Sequence, residues 1–243
     1  MNKKITISLA ALIAAASLNA QTLTNVQVNV EKKGDKQLVG QHAIGGWGVQ
    51  PAIITDSTLP RILLIGDSML GQYGSEVVKG LTGLVNVDRW KTPQYVSDNL
   101  AVKVAQIVSA QPYQLIHFNE SGLHSLSNDR VPQGEYGKYM DKYLKAMKKA
   151  APNAILIWAK TTPVTVKDKP GVLDDTLTNV VVEHNAAVYP LIKTYNLHVD
   201  DLYTLMMGHL DMAKGDKWHW NNLGAKLMAQ SVVESIKKEL PLK

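Results

Sequence analysis

The sequence contains no cysteine. That absence excludes a disulfide framework, cysteine nucleophiles, iron–sulfur clusters and thiolate zinc sites. It also excludes a lipid anchor of the kind that needs a cysteine at its cleavage site. Long apolar runs are lacking too. The one sustained stretch, residues 5–16, is too short to span a bilayer comfortably. With Lys3 and Lys4 before it and small residues after it, it has the form of a secretory signal peptide cut after Ala20. The expected location is therefore the periplasm or the exterior, with no membrane span in the mature chain.

Strong charge of either sign is lacking as well. The formal charge of the 243 residues is +5, and loss of Lys3 and Lys4 leaves +3, spread along the chain. Lys145, Lys148 and Lys149 read as a solvated helix face, so no nucleic-acid partner is expected. Internal repeats and low-complexity segments are absent, and the length suits a single core.

What is present is an alternation. Residues 25–30 (NVQVNV) alternate polar and apolar, as a half-buried strand does, and a glycine-rich irregular stretch follows. Residues 1–20 are thus read as signal peptide and 21–59 as an N-terminal extension, within which Trp47 and His42 are expected to pack. Residues 60–243 are the main domain. There RILLIG, LVNVDR, YQLIHFN, AILIWAKTTP and LHVDDLY read as strands, separated by amphipathic segments. Ser97 is a good N-cap for one of these, and Pro190 is expected to bend or break another. Repeated strand–helix alternation predicts an α/β fold with a parallel sheet covered on both faces. Ligands bind such sheets at the carboxyl ends of the strands. Ser68, after the first strand, and Asn119, ending the third, fall on that edge.

A serine hydroxyl is a weak nucleophile until a base takes its proton and a third group orients the base. Asp216 and His219, three residues apart just ahead of the last helix, suit those two roles. Asn119 could aim its NH2 at a developing oxyanion. Taken singly, each residue has an ordinary reading: Ser68 an N-cap, Asp216 a helix cap beside a surface histidine, Asn119 a strand-end residue bonding its own backbone. His117 and His124 flank Asn119 and, with Asp216 and His219, offer a metal-type donor set. Their spacing matches no metal motif, and a packed or hydrogen-bonded His117 and a pocket-lining His124 are expected instead. Trp218 and Trp220 bracket His219. Either could stack on a sugar ring or fill the core.

In this order, GDS (66–68), HFNE (117–120) and DKWH (216–219) resemble the blocks of the SGNH, or GDSL-type, hydrolases. FNESGLH, IWAKTTPV and VDDLY resemble an exported bacterial branch. The resemblance implies a three-layer α/β/α sandwich on a flavodoxin-like five-stranded parallel sheet, and no cofactor. It makes Ser68 the nucleophile, His219 the base, Asp216 its orienting group, and Asn119 an oxyanion donor beside the Ser68 amide. Asp67 becomes structural. The implied activity is hydrolysis of carboxylic esters, with an O-acetyl group on a glycan the expected substrate. Lipid or aryl esters and a catalytically silent glycan-binding module are the alternatives. Two blocks depart from the family. Where a glycine of the second block supplies an oxyanion amide, residues 87–99 have none, leaving an amide near Tyr95 or Val96, or no such donor at all. The usual glycine of the third block is His117.

Overall fold

A computed structural model describes residues 47–240, all within one unit, His42–Lys243. The signal-peptide reading, the strand expected at residues 25–30 and His42 lie outside the described residues. The described part is an α/β sandwich around one six-stranded sheet. Its strands are β1 (Gly48–Gln50), β2 (Arg61–Gly66), β3 (Asn86–Lys91), β4 (Leu115–Phe118), β5 (Ile155–Ala159) and, later in the chain, β8 (Leu197–Asp200). The spatial order is β1-β3-β2-β4-β5-β8. All neighbours are parallel except β1, which pairs antiparallel with β3 at one edge. The five parallel strands have the expected flavodoxin-like order. β1 is an addition, drawn from a stretch whose glycines give no alternating pattern.

The connections are α1 (Ser68–Gly80), α2 (Asp98–Val108), α3 (Tyr136–Ala150), α4 (Asp175–Tyr195), α5 (Leu202–Met207) and α6 (Asn222–Glu239). A small hairpin of β6 (Thr165–Val166) and β7 (Lys169–Leu173) precedes α4. Caps mark the helix starts. Ser97 accepts from the Leu100 amide at 3.2 Å, Asp174 from Leu177 at 3.1 Å, and Asn221 from Leu223 and Gly224 at 2.9 and 3.1 Å. Helix α4 runs through Pro190 without interruption. Pro190 and Ala186, whose carbonyl loses its usual amide partner, both lie on the exposed side, where water can satisfy it.

Alternation along β2 sends Ile62 and Leu64 into a core shared with Tyr73 and Val77 of α1 and Met228, Val232 and Ile236 of α6. On the opposite face Phe118 meets Tyr143 of α3, ring centroids 5.9 Å apart. Both faces are therefore covered, which is why the strand sequences are continuously apolar. Strand β2 leads to β3 on one side while β4 lies on its other side. The chain thus reverses direction across the sheet at β2, and the crevice at the carboxyl ends of β2 and β4 is the place such folds leave for a ligand. Among the described residues no helix is long and apolar enough to cross a membrane.

One polar cluster sits inside this core. His117 of β4, fully buried, bonds through Nε2 to Asp200 Oδ2 at 2.9 Å, and Asp200 Oδ1 accepts from Ser231 of α6 at 2.7 Å. His117 is thus hydrogen-bonded in the core, as expected, tying β4, β8 and α6 together.

Candidate active site

Strand β2 ends in Gly66, and the chain turns at once into α1. A Cβ on Gly66 would lie 2.8 Å from Leu70 Cβ, so the tight turn needs glycine. Asp67, 1 % exposed, caps the helix, its Oδ1 accepting from the Met69 amide at 2.8 Å. Burial pushes the Asp67 carboxyl above its ordinary range. The capping role therefore belongs to Asp67. Ser68 is the first residue of α1, its side chain partly exposed. Its backbone N–H is one of the helix-end donors without an intrahelical partner, at the positive end of the helix dipole.

Ser68 Oγ lies 2.8 Å from His219 Nε2, and His219 Nδ1 lies 2.8 Å from Asp216 Oδ2. The other carboxylate oxygen of Asp216 accepts from the amides of Trp218 and His219 at 3.1 and 2.9 Å. Burial tends to raise the Asp216 carboxyl, but the bond from the His219 ring and those two amides outweigh it and hold it below its ordinary value. Asp216 is thus an anion fixed by its own turn and aimed at one imidazole nitrogen. A carboxylate there selects the tautomer with Nδ1 protonated, which leaves Nε2 free to accept the Ser68 hydroxyl.

The loop bearing this pair is braced from both sides. Lys217 adopts φ 81°, and its carbonyl accepts from Thr165 at 3.0 Å while that of Gly215 accepts from Asp168 at 2.8 Å. Both donors belong to the β6–β7 hairpin or its turn. On the other side Gln72, one turn beyond Ser68, donates through Nε2 to the Trp220 carbonyl at 2.9 Å and accepts from the Trp220 amide at 3.3 Å. Neither brace was legible in the sequence. Gln72 has no local signal, and the hairpin is only a few residues long.

Asn119 follows β4 and is partly exposed. Its Oδ1 accepts from Gly122 at 3.0 Å, while Nδ2 donates to the Ala159 carbonyl at 3.0 Å and to Thr161 Oγ1 at 3.2 Å. The carboxamide is thereby locked in orientation. Gly122 cannot be replaced, because a Cβ there would fall 1.9 Å from Thr161 Oγ1. Between them Ser121 is left-handed, φ 63°, and its Oγ donates to the Thr92 carbonyl at 3.0 Å. The second-block loop is held further by Val96, whose amide donates to Ser125 Oγ at 3.2 Å. Of the two amides expected to complete the oxyanion site, the one from Val96 is therefore committed elsewhere, and that of Tyr95 remains.

No protein-family model matches the chain, and no curated protein does. Solved structures do match. A carbohydrate esterase family 3 protein from Talaromyces cellulolyticus superposes with a TM-score of 0.60 at 15 % identity, covering 74 % of this chain and 98 % of that one. A catalytic mutant of an acetylxylan esterase from Geobacillus stearothermophilus gives 0.59 at 13 % identity, covering 76 % and 97 %. The C-terminal catalytic domain of a peptidoglycan O-acetyltransferase from Streptococcus pneumoniae gives 0.55 at 16 % identity, covering 76 % and 98 %. The chain has the SGNH hydrolase fold.

Within that fold the flanking aromatic and histidine residues separate. Trp220 is 2 % exposed, belongs to the α1/α6 core and points Nε1 at Thr162 Oγ1, 3.4 Å away. Of the two roles left open for it, Trp220 takes the core one and does not line the site. Trp218 packs against a small cluster of Leu126, Val164 and Val181, with the Lys217 ammonium 5.7 Å from its ring centroid. His124 is half-buried, edge-on to Trp47 with ring centroids 6.0 Å apart, and burial lowers its pKa. His117, with its bond to Asp200, points into the core, so the four residues of the metal-type set do not converge. Among the described residues no three histidine or carboxylate side chains gather in a way that suits an ion.

Proposed function

We propose that the protein is an exported serine esterase that removes a small acyl group, acetyl above all, from an esterified carbohydrate. The observation that carries the chemistry is the continuous chain Ser68 Oγ–His219 Nε2/Nδ1–Asp216 Oδ2, with both links at 2.8 Å. Ser68 Oγ attacks the ester carbonyl as its proton passes to His219 Nε2, and the imidazolium so formed is stabilised by Asp216. The carbonyl oxygen, now an anion, accepts from the Ser68 amide; both N–H groups of Asn119 Nδ2 are engaged, so its part as a second donor requires the bond to Thr161 Oγ1, the longer of the two, to break as substrate binds. His219 returns the proton to the departing alcohol, leaving an acyl-serine. Water then repeats the sequence, releasing the acid and restoring the Ser68 hydroxyl.

Support for an acetyl group comes from the similarity to an acetylxylan esterase. Support for a glycan comes from the similar structures, two of which are carbohydrate-directed esterases. Support for export comes from residues 1–20.

The test is release of 4-nitrophenol from 4-nitrophenyl acetate by the protein and by Ser68→Ala, each with and without EDTA. The expected loss in the variant is on the order of 10^6-fold in kcat, with thermal unfolding unmoved and EDTA without effect. An active Ser68→Ala protein would overturn the assignment.

A further inference from the structure

Lys91 ends β3 directly opposite Gly66 in the parallel register, beside the serine turn. It shares one face of the strand with Arg89, and both side chains run beneath α1. A Cβ on Gly71 would lie 3.6 Å from Lys91 Cδ and 3.8 Å from its Nζ, and one on Gly74 would lie 3.3 Å from Arg89 Cδ. Two glycines three residues apart thus leave a groove along the helix, and two cationic stems occupy its floor. Gly71 follows Ser68 by three residues, so it lies one turn along on the nucleophile's side of α1.

The pair is unusual in its surroundings. The ion pairs of the described residues join other partners and include neither Arg89 nor Lys91. Both are only partly exposed. Burial, and after it the charge of Arg89, holds the Lys91 ammonium below its ordinary value, and burial lowers Arg89 as well. Two like charges set side by side and partly withdrawn from water are costly, and an anion bound beside Lys91, the nearer of the two to the serine turn, offsets part of that cost.

We propose that Lys91 and Arg89 form a carboxylate-binding subsite beside Ser68, so that the esters this protein prefers carry a carboxylate about one helical turn from the scissile bond. In a glycan this means an acidic sugar, or a sugar bearing an acid substituent, next to the acylated hydroxyl. The inference rests on the serine-esterase reading.

The test compares 3-acetoxybenzoate with 3-acetoxybenzamide, two acetate esters that differ in charge and hold the acid or amide roughly one helical turn (~5.4 Å) from the ester. The protein should favour the carboxylate about fivefold in kcat/KM, mostly through KM, with the preference shrinking as salt rises. Lys91→Gln should bring the ratio to about one. Gly71→Glu should do the same by setting a carboxylate against Lys91, at an exposed helix position that accepts a side chain, so a misfolded Lys91 variant would not spare the proposal. Equal rates on the two esters, or a preference that survives both substitutions, overturns the subsite and leaves the esterase standing. Hydrolysis of neither overturns both.

Discussion

Asp216 carries two tasks on separate oxygens, and the separation makes its role testable at a single residue. Oδ1 holds the turn through the Trp218 and His219 amides, and Oδ2 faces the imidazole. In Asp216→Asn the amide oxygen must stay with the two N–H donors. The new NH2 then faces His219 Nδ1 and favours the tautomer whose Nε2 carries the proton. The expected result is a fall in kcat of about 10^2- to 10^4-fold with KM little changed. A merely structural Asp216 would instead lower unfolding temperature and raise KM. Steady-state kinetics beside a melting curve separates the two. The same residue shows what local sequence can tell. Asp-x-x-His before a helix suggests a cap or a dyad, and only the arrival of Ser68, 151 residues away in sequence, decides between them.

Among the elements, β4 serves both faces of the sheet. His117 looks toward α6, whereas Glu120, just beyond the strand, turns the other way and is fully buried. Glu120 accepts from the Trp158 indole at 3.1 Å and bonds to the Tyr136 hydroxyl, and Tyr136 stacks on His184 with ring centroids 3.9 Å apart. Burial pushes the Glu120 carboxyl up to about 7. A folded-state pKa raised above the unfolded value means the folded protein binds the extra proton. The associated stability is present below the unfolded value and is lost as pH climbs toward 7. Glu120→Gln, which keeps the shape and cannot ionise, should flatten the urea midpoint between pH 5 and pH 7. The gain over the wild type at the upper end is roughly 2 kcal/mol. Parallel pH slopes in the two proteins would contradict it.

For the whole molecule, the order of parallel strands was legible because each strand is a short apolar run and each helix an amphipathic one. Patterns of that length survive tertiary context. Less of the rim could be read. The β6–β7 hairpin and β1 are short and rich in glycine or exposed residues, and their places are set by what they brace rather than by their own preference. Among site residues, Ser68, Asp216 and His219 were legible through their order at strand and helix ends. Gln72 was not, because its value lies in a carbonyl and an amide 148 residues away. The sequence leaves Trp220 between core and site for a related reason. Neighbours in sequence on an extended segment face opposite ways, and only the packing of Trp220 against the core shows which faces in.

The central claim is that the fold makes one serine nucleophilic by placing His219 against it. The measurement that reaches it most directly, without knowledge of the substrate, is mass spectrometry of the protein after exposure to a fluorophosphonate, alone and as His219→Ala. One adduct per chain is expected, on the peptide containing Ser68, and its loss in the variant. An unlabelled wild-type protein, or an adduct that persists without His219, would contradict it.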